Sequence, residues 1–389
     1  MVESGSNKYA SAKADAGTAS DRSEDTEFPV RRFSLSPSRL LWRKLRRNRS
    51  AMLGLYILIF LYAVALFGGF VAPYSYDDAE HDLTFCPPML ARIHLVGESG
   101  RLARPFVNQA VLDNVQLGSY HYDESTRYPL RLFVRGDSYR ILWLFESNVH
   151  LFGVDPPGRF YLFGADQFGR DIFSRVIYGA QVSLSIGIAG IAISMIIGML
   201  VGGVAGYFGG AVDFLAMRGV EVLLALPGIY FILILRQMFG AGASSTHMYL
   251  IIVVILAFIG WATEARVIRG MVLSIKDQEY VVAARALGYS STRIIVRHIL
   301  PNTLSFVIVT ATLSVPFYIL GEVALSFLGV GIAEPDASWG NMLAQAQSNR
   351  ALVYFPWVLT PGFFIFVAVM AWNFLGDGLR DAADPRTIS

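Results

Sequence analysis

The chain has 389 residues, of which 54% are hydrophobic and only 16% charged, with a formal net charge of +2 at pH 7. A soluble chain carries about a quarter charged residues, so this composition excludes an ordinary soluble enzyme and fits an integral membrane protein. The small net charge argues against a nucleic-acid partner, and a single cysteine, Cys86, excludes an intrachain disulfide or a thiolate metal cluster.

Residues 1–30 are rich in Ser, Ala, Asp, Glu and Gly and are predicted to be a disordered cytoplasmic tail. They hold no apolar run, so no cleavable signal peptide is expected and the first span must act as the insertion signal. Across 31–50, Arg31, Arg32, Arg39, Arg43, Lys44, Arg46, Arg47 and Arg49 are interleaved with Leu40, Leu41, Trp42 and Leu45. That pattern predicts a basic amphipathic helix on an anionic leaflet, although a solvated basic topology signal would look the same. Either way the positive-inside rule puts the N-terminus in the cytoplasm.

Residues 51–72 carry no charge and are long enough to cross a ~30 Å hydrocarbon core at ~1.5 Å per residue, which makes them the first span. Residues 73–178 are too polar for the membrane. They are predicted to form an extracytoplasmic insert, α/β or β-containing, with short strands near 139–145 and 159–163. The remaining five spans fall within 179–378. The second, 183–207, carries Gly190, Ser194, Gly198, Gly202 and Gly206 at four-residue intervals, a face of small residues that lets another helix approach closely. The third, 220–239, should kink at Pro227-Gly228, with Arg218 and Glu221 three apart and able to pair. The fourth is 248–263; the fifth, 304–327, is bent by Pro316; the sixth is 357–375, followed by a cytoplasmic tail, 379–389.

An aqueous loop is expected between the fourth and fifth spans, within 264–301. Six spans from a cytoplasmic N-terminus place both termini and this loop inside, where Arg266, Arg269, Lys276, Arg285, Arg293 and Arg297 satisfy the charge rule. Residues 279–287 lack Pro and Gly and predict a short helix, with Gly288 where a left-handed C-terminal residue is wanted. Ala283, Ala284 and Ala286 would let that helix seat deeply in a groove, with Glu279 and Arg285 setting its orientation. Ile294, Ile295 and Ile299 then predict a second amphipathic helix running to Pro301. The bland alternative is an interfacial helix–turn–helix with no partner.

Two intramembrane charges stand out. Glu322 lies roughly 30 Å of helix rise from Asn302, and Arg236 roughly 24 Å from Val220, so the two are expected at similar depth and possible partners. No G-x-x-x-x-G-K-[ST] occurs, so no P-loop is present. The six histidines show no metal-ligand spacing, and no metal site is expected.

The stretch Glu279 to Asn302, with Ala283-Ala284, Gly288 and Leu300-Pro301, resembles the coupling loop of ABC-importer permeases. Further matches follow in order: Arg46-Arg47-Asn48-Arg49 before Ala51-Met52-Leu53-Gly54; Gly164 to Asp171 with Ser174-Arg175 and Tyr178-Gly179-Ala180; Gly206-Tyr207-Phe208-Gly209-Gly210 with Asp213; Ala324 to Gly329 with Ser338-Trp339-Gly340; and Gly376 to Asp381 with Asp384-Pro385-Arg386. Together they resemble the dipeptide/oligopeptide, binding-protein-dependent family, in particular its C-type permease subunit.

The resemblance implies an all-α integral membrane bundle of six transmembrane helices, the type I ABC importer permease fold, working by alternating access. It implies a non-catalytic subunit in the bacterial cytoplasmic membrane, which binds no cofactor itself while partner subunits use ATP and Mg. The implied partners are a homologous second permease, two ATPases and an extracytoplasmic substrate-binding protein. Glu279, Tyr280, Ala283, Ala284, Arg285 and Gly288 are the implied ATPase-coupling residues. Two departures stand: Val282 occupies a position where the family motif often carries Glu, and the outer segment 77–164 is longer than usual. The same machinery could serve nickel or another small solute. An ion-coupled secondary transporter would need inverted repeats and ionisable, unwound helices at mid-membrane, and only Glu322 could serve there.

Overall fold

The computed structural model describes residues 37–96, 102–114, 118–141, 145–239 and 244–383. The predicted disordered tail, 1–30, lies outside the described residues. The first element is α1 (Pro37–Leu45), the core of the predicted basic helix. Its Leu45 is buried with Ala51, Leu375 and Leu379, while Arg39, Trp42 and Arg43 stay exposed. Next comes α2 (Arg49–Leu66), whose start is fixed by Asn48: its side-chain oxygen accepts the Ala51 N–H at 3.1 Å. A turn at Phe67 leads into the short α3 (Gly68–Val71).

The insert is built from strands. β1 (His94–Val96), β2 (Leu102–Asn114) and β3 (Ser119–Pro129) form an antiparallel sheet in that order, and β4 (Arg131–Ile141) pairs with β5 (Phe145–Gly153) as a hairpin. The strand predicted near 139–145 spans the end of β4 and the start of β5. The one predicted at 159–163 is not a strand. The Phe160 and Tyr161 N–H groups go to the Tyr74 hydroxyl and the Met89 sulfur instead of a ladder, and Arg159 is tied to Asp78 and Glu80.

The bundle follows: α4 (Ile172–Phe208), α5 (Gly210–Ala225), α6 (Gly228–Phe239), α7 (Ser245–Ile275), α8 (Glu279–Ala286), α9 (Ser291–Ile294), a π-helical turn (Ile295–Ile299), α10 (Leu300–Phe327), α11 (Trp339–Ala344), α12 (Asn349–Tyr354) and α13 (Thr360–Ala383). Among the described residues five helices are long and apolar enough to cross a membrane. The third predicted span is instead two helices, α5 and α6. Pro227 disfavours helical backbone in the residue before it, and Leu226 is extended at ψ 132°. Pro316, by contrast, is accommodated inside a continuous α10.

The aqueous loop also starts later than 264. Residues 264–275 contain no Pro and one Gly, so α7 runs on to Ile275. Glu264 therefore sits inside the bundle, where the Ser314 hydroxyl donates to it at 3.1 Å.

The small-residue face of α4 divides between two neighbours. A Cβ on Gly198 or Gly206 would fall 2.8 Å from Glu264 Cβ or Val272 Cβ of α7, and one on Gly202 would strike the Ala265 carbonyl. Gly190 faces the Tyr318 ring of α10, and Ser194 is buried beside Gly260 of α7. At the far end of this contact Arg269 of α7 is paired with Asp213 of α5.

Candidate functional site

The hairpin between α7 and α10 is made by a specific helix stop. Gly288 has φ +76°, the left-handed conformation that a Cβ penalises, and nothing lies within 4 Å of where that Cβ would point. Its N–H donates to the Arg285 carbonyl at 3.0 Å, and the Tyr289 N–H to the Ala284 carbonyl at 3.2 Å. These two bonds are the Schellman pattern that closes α8. The Ser290 hydroxyl then accepts the Arg293 N–H and starts α9.

Of the predicted coupling residues, Glu279, Tyr280, Ala283, Arg285 and Gly288 are exposed, but Ala284 is not. Ala284 and Val281, three apart on one face, pack into the core with Ile294 and Ile299. Ala284 therefore packs α8 against its own bundle, on the face opposite the exposed coupling candidates. Val282 and Leu287 stand on the exposed side, Leu287 at 73%.

Two contacts tie α8 to spanning helices. The Tyr280 hydroxyl accepts from Asn302 Nδ2 at 3.0 Å, at the start of α10. The Arg285 guanidinium lies 5.7 Å from the centre of the Tyr207 ring, at the end of α4. Behind them Tyr289 stacks on His298 at 5.8 Å, which gives His298 a packing role.

The predicted Arg236–Glu322 pair has one member whose side chain lies outside the described residues. Glu322 is fully buried and held by hydroxyls: Ser183 and Ser326 each donate to it at 2.7 Å. Those hydroxyls in turn accept the N–H groups of Trp339 and Ile332 at 3.2 and 3.1 Å. The carboxyl thus joins α4 and α10 to the loop leading into α11.

Sequence reasoning singled out no site at the insert end, yet a charge cluster is buried there. Arg175 is fully buried; it donates to the Tyr76 and Pro335 carbonyls at 2.8 and 3.0 Å and to Glu334 at 3.0 Å. Arg170 bonds Asp166 at 2.8 Å, and Asp166 accepts the Phe168 and Arg170 N–H groups at 2.8 and 3.1 Å. Beside them Asp171 caps α4, taking the Ser174 N–H at 2.9 Å and its hydroxyl at 2.7 Å. Burial pushes its carboxyl up to about 7, against the opposing pull of the Ser174 and Phe173 bonds. The signal was present: charged residues recur through Gly164–Arg175 immediately before an apolar run.

Long apolar helices with an exposed helical hairpin between two of them define a multi-pass membrane bundle. The chain belongs to the family described as binding-protein-dependent transport system inner membrane component, which matches residues 172–389. Residues 36–88 match the N-terminal TM domain of oligopeptide transport permease C. The dipeptide transport system permease protein DppC of Bacillus subtilis is 35% identical over 357 residues, covering 92% of this chain and 88% of that protein. The oligopeptide transport system permease protein OppC of the same organism is 39% identical over 242 residues, 62% and 77% of the two chains. The solved structure of the inward-facing methionine ABC transporter MetNI has a TM-score of 0.42 and 17% identity over 54% of this chain and 97% of its own. The chain is thus an inner-membrane transport permease subunit.

Proposed function

We propose that this chain is one of two homologous permease subunits of an ABC importer that moves di- or oligopeptides into the cell. The substrate class rests on the names of the DppC and OppC relatives. Two partner ATPases bind ATP and Mg and hydrolyse the nucleotide, and this chain binds no cofactor. A binding protein delivers peptide at the insert end. Both termini and α8 face the cytoplasm.

The observation that carries this reading is α8 itself. Its exposed face, Glu279, Tyr280, Val282, Ala283, Arg285 and Leu287, is the surface offered to an ATPase, and its buried face is locked to the bundle. Because Tyr280 is bonded to the start of α10 and Arg285 lies over the end of α4, displacing α8 displaces both spans. That linkage turns closure of the ATPases into a change of access. The second permease has a natural place along α5 and α6. Val220 is the buried residue of α5, and the Arg218–Glu221 pair, bonded at 2.7 Å, is exposed on a helix of the bundle.

The test is co-purification with candidate ATPase subunits followed by ATP-driven uptake of labelled peptide into vesicles. Two ATPases should co-purify, and Leu287→Asp should reduce their recovery. Active uptake without any ATPase would point to an ion-coupled transporter. Uptake of a nickel chelate in place of peptide would keep the machinery and change the cargo.

A further inference from the structure

A cavity of about 720 Å³ lies where the α2–α3 turn meets the first turns of α4, the start of α7 and strand β4. Its size is that of a small-molecule site, about 300–1,000 Å³. Its walls have two characters. Ala65, Leu66 and Leu184 make an apolar floor, while Ser138, Arg140 and Tyr178 make a polar roof.

The depth of the cavity follows from α2. At ~1.5 Å per residue its 18 residues span roughly 27 Å, so Leu66 falls at the edge of the hydrocarbon. The floor is then at acyl-chain depth and the roof at headgroup depth. Leu66 and the adjoining Phe67 are also about half exposed, so the floor is continuous with the apolar outer face of α2 that carries Ile59 and Phe60. Arg140 is the charged residue among those that line the cavity, and no carboxylate joins it there. Its own partner, Glu146 at 2.9 Å, forms a solvent-exposed pair of the weak, screened kind, so the guanidinium can share itself with a second anion.

We propose that this cavity holds a phospholipid from the leaflet on the insert side, with its phosphodiester on Arg140 and the roof hydroxyls and an acyl chain on the floor. A peptide fits less well, because its ammonium would meet no carboxylate among the lining residues. The lipid would fill the gap between the β4–β5 hairpin and the bundle, and so fix the insert relative to α2 and α4.

The test is native mass spectrometry of the purified, delipidated transporter titrated with dioctanoyl phosphatidylglycerol. The wild type should bind one lipid at this site. Arg140→Gln should weaken binding at least fivefold, and Arg140→Lys should recover part of it. Ser138→Trp, which fills the roof from an exposed strand position, should abolish binding while thermal unfolding stays unchanged. Equal lipid binding in all variants would overturn the proposal. Inorganic phosphate binding as tightly as the lipid would make this a free-anion site, and displacement of lipid by dialanine would make it a peptide site; either outcome also overturns it. Uptake is not read, so failure here leaves the transport reading standing.

Discussion

The two ends of this bundle treat polar and apolar groups in opposite ways. At the insert end, Asp166, Asp171 and Arg175 are buried and find their partners within the chain, down to backbone carbonyls. At the hairpin end, Tyr280, Val282 and Leu287 stand in the open on a helix whose other face is packed shut. The first arrangement holds elements together and spends these charges within the chain. The second leaves apolar surface uncovered, the mark of a surface that meets another molecule. The buried charge cluster and the exposed face of α8 therefore lie in different parts of the molecule.

The sharpest way to break that contrast is Arg175→Met. It leaves the Tyr76 and Pro335 carbonyls without their buried side-chain donor and takes from Glu334 one of its two arginines, Arg170 being the other, and each unsatisfied buried group costs about 1–3 kcal/mol. A marked drop in folded yield and melting temperature is expected; an unchanged melting curve would mean the cluster holds nothing together.

Gly288→Val comes next, at the opposite end. A β-branched residue at φ +76° carries about 1–3 kcal/mol of local strain, too little to unfold the bundle but enough to disturb the stop of α8. Assembly should persist while peptide uptake falls at least tenfold. Full uptake with this variant would remove the hairpin from the coupling path.

A smaller effect sharpens the insert side through pH. The buried Asp171 carboxyl, pushed up to about 7, holds its proton more tightly in the folded than in the unfolded chain, where it titrates at about 4. Its contribution to stability is full below about pH 4 and is lost as pH rises to about 7. Asp171→Asn should flatten this part of the stability profile, measured as melting temperature between pH 4 and 8. A profile identical to the wild type would assign the dependence to other groups.

Much of the bundle was legible because long apolar runs have few structural alternatives. The break at Leu226-Pro227 was read as a kink, since sequence does not say whether a neighbouring helix will hold a proline-bearing span together, as happens at Pro316. The strand misread at 159–163 came from side chains alone, since its backbone N–H groups are taken by Tyr74 and Met89, which lie more than seventy residues away along the chain. The inward turn of Ala284 was hidden because residues 281–284 are all apolar, so no face of α8 announces itself. The Arg175 cluster was missed because its partners, Tyr76, Glu334 and Pro335, lie far from it along the chain.

The most direct test of the central claim uses Ala283→Cys, an exposed position on α8 in a chain whose own Cys86 is buried. A membrane-impermeant maleimide should label it only from the cytoplasmic side, and a short bifunctional reagent should link it to an ATPase subunit, less so when nucleotide is removed. Labelling from the outer side, or assembly with no ATPase within reach of that position, would contradict the account.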